Sequence, residues 1–204
     1  MGRKTDNRKI DRIELESLAF DITYVIEQCF SFFNWEYCIM PGIQSVQPDN
    51  FTQNSIQLIK NATIEATLMF MRKLNAFFTS KKQNRESDDV YAFDFPGFTK
   101  IGWFLSKEQV DELNLRVGHV TLIEARMGKK QWPIADWVNA AMEKSIPFID
   151  YLLEDFFEEG SEKWLIINRR KLNIIRHIDI LNSIAKQTTR DGKDTHQGNS
   201  NPAP

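Results

Sequence analysis

The run Ile64-Glu65-Ala66-Thr67-Leu68-Met69-Phe70-Met71 decides the fold class, because it is apolar on nearly every side of a helix. It sits inside a longer pattern, Ile56, Ile59, Ile64, Leu68, Met71 and Leu74, that predicts one helix from about Asn50 to Phe78. A helix apolar all round is normally packed by several neighbours, so this one is expected at the centre of a bundle.

Upstream, Leu18, Ile22, Val25, Ile26, Cys29 and Phe33 recur at helical spacing and predict a helix from about Ile10 to Tyr37, ended before Pro41-Gly42. Downstream the pattern breaks. Residues 80–104 open polar and turn aromatic with Tyr91, Phe93, Phe95, Phe98, Trp103 and Phe104 around a Pro96-Gly97 turn. The Tyr91, Phe93, Phe95 alternation would also suit a short strand, but an ordered loop pinned by aromatic anchors is the reading adopted.

Ser106 and Gln109 form a capping box that opens a third helix, which Gly128 stops after Arg126. Pro133 in a first turn starts a fourth, with Ile134, Trp137, Val138, Ala141, Phe148 and Leu152 on one face and Pro147 as a kink. Gly160-Ser161 separates it from a fifth helix, rich in isoleucine and arginine, ending near Lys186. Residues 188–204 hold no apolar side chain larger than alanine and read as a disordered tail. The expectation is an all-α single domain over residues 1–187: a bundle of about five helices with one long aromatic-rich loop.

Composition narrows the function classes. With 26 basic and 28 acidic residues the net charge is −2, which argues against bulk nucleic-acid binding but allows a local basic patch. The opening Met1-Gly2-Arg3-Lys4 leads into charge and predicts no secretory signal, and no apolar stretch is of membrane-spanning length. A cytoplasmic protein with no membrane partner is expected. Cys29 and Cys38 would lie about 13 Å apart along a continuous helix, too far to bridge, and are read as reduced core thiols.

Chemistry is concentrated on the third and fifth helices. On the third, Val110, Leu113, Val117, Val120 and Ile123 form a core stripe, and Glu112, Arg116, His119 and Arg126 share a neighbouring face. That face is either a solvated surface with an i,i+4 ion pair or a usable site, since histidine moves protons near neutrality and arginine holds phosphate oxygens. Gly118 lies inside this helix, where glycine costs about 1 kcal/mol relative to alanine, which points to a close approach there. On the fifth, Arg169, Arg170, Lys171 and Arg176 with His177 form a basic patch suited to phosphates, or simply an exposed face. Asp88, Asp89 and Asp94 are read as solvent-facing carboxylates rather than a cation site. No metal or cofactor is expected, and no phosphate loop, zinc spacing or nucleophile elbow is present.

The run Asp88-Asp89-Val90-Tyr91-Ala92-Phe93-Asp94-Phe95, followed by Leu113-Asn114-Leu115-Arg116-Val117-Gly118-His119-Val120-Thr121, resembles the HEPN superfamily. The likeness is nearest to its abortive-infection U-type (AbiU-like) branch, where an aspartate-rich loop precedes a helix carrying asparagine and then histidine. It covers the chain from about Ile56 to Phe157 through short motifs. HEPN proteins are helical bundles, often dimers, and many are metal-independent ribonucleases of toxin–antitoxin and antiphage systems. By this resemblance His119 takes the place of the family histidine and Asn114 that of the polar residue. Leu113 stands where the family has arginine, with Arg116 one turn from His119 as the substitute. The Arg170 to His177 spacing nearly fits the same signature and is a second candidate.

The resemblance implies a homodimer acting on RNA, with a cognate antitoxin protein as a further partner. His119 would move a proton at the RNA 2′-hydroxyl or the leaving 5′-oxygen, and Arg116 would stabilise charge on the phosphate. Pairing across the third helix would bring a second histidine, and Gly118 would permit the approach. The other reading is a HEPN-like module without catalysis that serves dimerisation or regulation.

Overall fold

A computed structural model of the chain describes residues 10–35, 50–79, 90–117 and 133–194. Five α-helices stand among them: α1 (Arg12–Asn34), α2 (Asn50–Phe77), α3 (Lys107–Val117), α4 (Ile134–Tyr151) and α5 (Glu162–Asp194). No strand occurs among the described residues. The protein is the all-α bundle that its periodicity predicts.

Local chemistry sets the helix starts. Asp11 accepts from the Glu14 amide at 2.8 Å, and Glu14 accepts from the Asp11 amide at 3.0 Å, closing the start of α1. The predicted box before α3 is formed too: Ser106 N–H donates to Gln109 Oε1 at 2.7 Å and Gln109 N–H to Ser106 Oγ at 3.3 Å. Pro133 precedes α4 as its cap residue, and the helix continues through Pro147. α5 runs on to Asp194, past the Lys186 end that the apolar pattern predicts. The remainder of the expected tail, 195–204, falls outside the described residues.

α2 packs against α1, α3 and α4, as a central helix should. It is nevertheless not enclosed. Thr67, Leu68 and Met71 are buried, whereas Glu65 is exposed and Met69 is 38% exposed. One flank of the deciding run therefore faces outward. Thr63 and Thr67 bury their hydroxyls by donating to carbonyls one turn back, Ile59 and Thr63.

The aromatic segment after α2 is folded onto the bundle. Phe95 and Phe98 pack edge-on against Phe148 of α4 at 5.0 and 5.1 Å between centroids, and Phe77 and Phe78 of α2 close the same cluster. The segment forms a short 3₁₀ turn at Ala92–Asp94, not a strand. Its polar groups are held as well: Tyr151 donates its hydroxyl to the Pro96 carbonyl at 2.8 Å, and buried Asn75 accepts from the Phe104 and Leu105 amides at 2.9 Å each.

After α4 the chain widens into a π-type turn, Leu152–Phe156, in which the Phe157 amide reaches the Leu152 carbonyl. Two carbonyls of that turn are satisfied by side chains: Leu153 by the Trp164 indole at 3.0 Å, and Phe156 by Arg12. Gly160, at φ 78°, makes the left-handed step that leads into α5.

Candidate functional site

α5 lies beside α1, and the contacts between them are polar as well as apolar. Lys163 pairs with Glu16, Arg170 with Thr23 and Glu27, Asn173 with Glu27, and His177 with Ser31 and Asn34. Residue numbers rise together along both helices, so the two run in the same direction. Lys163, Arg170 and His177 are spaced by heptads, which keeps them on the face turned toward α1.

Arg170 is a tie between helices. It donates to the Phe20 carbonyl and, at 2.7 Å, to Thr23 Oγ1, pairs with Glu27 at 3.7 Å, and lies over the Tyr24 ring at 5.8 Å. Its side chain is only 20% exposed. Lys171 points to a different neighbour and pairs with Asp150 of α4 at 2.8 Å.

His177 is half-buried. Its Nδ1 is 2.8 Å from Asn34 Nδ2 and its Nε2 is 3.2 Å from Ser31 Oγ. The amide NH₂ of Asn34 donates to Nδ1, so the ring proton sits on Nε2 and is donated to Ser31. Burial lowers the His177 pKa from its ordinary value; Glu27 opposes that shift and Arg176 adds to it. In outline the trio is a hydroxyl, an imidazole and an orienting amide. The proton, however, lies between the imidazole and the hydroxyl on the histidine's side, so His177 is not placed to act as a base toward Ser31. Asn34 Oδ1 is buried and, among the described residues, has no hydrogen-bond partner.

The five α5 residues expected at a phosphate-binding patch are thus divided, Lys171 being the one paired with Asp150. Arg170 and His177 turn inward to α1, and Arg169 and Arg176 turn outward and are exposed. The α1 residues Thr23, Glu27, Ser31 and Asn34 were not among the sequence candidates. Their signal was a polar stripe at helical spacing beside the apolar one, readable only once its partner helix is known.

On α3 the structure places Leu113 wholly in the core, at 0% exposure. Asn114 follows it, half-buried, with its Oδ1 shielded from solvent and, among the described residues, lacking a hydrogen-bond partner. Arg116 lies in the last turn of α3, its side chain outside the described residues, as are Gly118 and His119.

Of the loop carboxylates, Asp94 accepts from the Tyr91 amide at 2.9 Å and closes the 3₁₀ turn, while Asp88 and Asp89 are outside the described residues. Among the described residues no three His, Cys, Asp or Glu side chains converge as a metal would require. No described helix is long and apolar enough to cross a membrane. Cys29 is fully buried as a free thiol; Cys38 is outside the described residues.

No protein-family model, curated protein or solved structure matches the chain.

Proposed function

We propose that this chain is a HEPN-like helical protein of a toxin–antitoxin or antiphage defence system, acting as a cytoplasmic homodimer that cuts RNA without a metal. His119 moves the proton, Arg116 stabilises the phosphate charge, and Asn114 orients the substrate or the histidine. The supporting observation is Asn114 itself. A buried carbonyl oxygen with no partner is costly in a finished core, and such groups collect where a ligand or a second subunit completes them. A cognate antitoxin protein completes the proposed setting.

A second reading rests on Leu113. The residue at the family's arginine position is a core side chain, so position 113 cannot present a cation to RNA. Arg170 and His177, the alternative pair, are already engaged in docking α5 on α1. Both facts favour a HEPN-like module that dimerises or regulates without catalysis.

Incubating the purified chain with mixed RNA in EDTA separates the two. Cleavage lost in His119→Ala and retained in His177→Ala supports the ribonuclease reading and a site at His119. Cleavage lost only in His177→Ala moves the site to α5. Intact RNA with the unaltered chain favours the non-catalytic module.

A further inference from the structure

The polar row between α1 and α5 ends at His177, the last α5 side chain, among the described residues, that bonds to another helix. Lys163 and Arg170 hold the earlier part of the row through Glu16, Thr23 and Glu27. Ile167 and Ile174 are fully buried beside them, whereas Ile180 is 38% exposed. The docking of α5 thins toward His177, and one imidazole makes its last polar tie.

That tie fits the neutral ring. Nδ1 accepts from the Asn34 amide at 2.8 Å, and Nε2–H donates to Ser31 Oγ at 3.2 Å. A second proton can go only to Nδ1, because Nε2 already carries one. It would set an N–H of the ring against an N–H of Asn34, two donors with no acceptor between them. Turning the amide over would offer Oδ1 to the charged ring. It would also put an NH₂ group in the buried place where Oδ1 now has no partner among the described residues.

The nearby charges are few. On α1, Glu27 and the negative end of the helix favour a charged ring, but Glu27 is engaged by Arg170 and Asn173. On α5, Arg176 opposes it, and Asp179 is exposed about 200° further round the helix. On α4, Asp150 is paired with Lys171. Glu154 and Asp155 of the π-type turn lie by Trp164, at the other end of the row.

We propose that Asn34, Ser31 and His177 form a proton-operated latch. A proton arriving at Nδ1 releases the part of α5 beyond Asn173 from the end of α1, while the part from Lys163 to Arg170 stays docked. The latch is separate from Asn114 and His119, and it stands whether or not the chain cuts RNA.

The test is amide hydrogen exchange of the full chain, read by mass spectrometry and corrected for the intrinsic pH dependence of exchange. It spans about one pH unit on either side of the ordinary histidine value of 6.5. Peptides covering 28–34 and 174–180 are expected to lose protection on the acid side, by up to about tenfold per pH unit. Peptides covering 14–20 and 163–168 should not, because Glu16 titrates in a more acidic window.

Three variants locate the proton. His177→Gln should abolish the acid step. Asn34→Asp gives a charged ring its acceptor, so the step should vanish and the His177 ring, followed by NMR, should titrate above 6.5. Ser31→Ala should keep the step, since Nε2 holds its proton in both states. Circular dichroism checks that each variant is folded, and His177→Gln with the unaltered chain suffices if Asn34→Asp does not fold. Equal loss of protection at both ends of α5, a step that survives His177→Gln, or a His177 ring that titrates above 6.5 in the unaltered chain would overturn the proposal.

Discussion

His177 of α5 and Asn34 of α1 meet at 2.8 Å, amide nitrogen to Nδ1, and this contact closes the polar row that runs up the two parallel helices. Asn34 is 5% exposed, and its remaining oxygen has no partner among the described residues. Removing the imidazole leaves the whole amide unpaired in a buried place. His177→Ala is expected to destabilise the fold by about 1–3 kcal/mol, the usual cost of stranding a buried polar group. Urea unfolding measures it, and a double-mutant cycle with Asn34→Ala should show coupling between the two sites. Additive effects would refute a direct tie.

Burial of the same imidazole makes stability depend on pH. Burial lowers the His177 pKa below its ordinary 6.5, so the folded chain binds fewer protons than the unfolded chain across that interval. Its contribution is complete above the unfolded value and declines as pH falls from there through the lowered folded value. The urea midpoint should drop as pH falls below the ordinary histidine value of 6.5, and His177→Gln should flatten that part of the profile. Glu16 has a lowered pKa through its bonds to Lys163 and Arg12, so its own loss belongs to a more acidic window. An unchanged slope in His177→Gln would assign the effect elsewhere.

Two neighbouring arginines should behave differently. Arg170 holds the Phe20 carbonyl, Thr23 and Glu27, and Arg170→Met is expected to cost about 1.5–3 kcal/mol. Arg169 is exposed, and Arg169→Met should stay within about 0.5 kcal/mol of the unaltered chain. Equal effects in thermal melts would contradict the assignment of one to the helix interface and the other to the surface.

Cys29 is fully buried, and burial pushes its thiol up to about 12, so it is both covered and protonated at neutral pH. In a Cys38→Ser background, a thiol reagent should label Cys29 only as the fold opens, with a rate that rises alongside urea unfolding. Prompt labelling of the native chain would show that α1 is loosely seated.

The helices themselves were legible in the sequence because helix formation is local. The three-to-four residue recurrence of Leu18 to Phe33, the Ser106–Gln109 box and the glycine at 160 each act within a few residues of chain. Burial was less legible. The run from Ile64 to Met71 predicts a helix covered on all sides, yet Met69 is 38% exposed, because coverage depends on how many neighbours arrive and from where. The end of α5 was also missed, since a polar continuation carries no hydrophobic period to read.

The site shows the same division more sharply. By itself the sequence determined that Arg169, Arg170, Lys171, Arg176 and His177 share one helix and that the chain builds a helical bundle. Only the tertiary structure decided that α1 and α5 run in the same direction in a fixed register. That register joins Ser31 and Asn34 to His177 across 146 and 143 residues of chain, and it turns Arg170 inward while leaving Arg169 outside. The physical reason is that a helix's period fixes which residues share a face, but not which face is buried. That choice is made by the neighbour it packs against, and the neighbour's identity is a long-range fact.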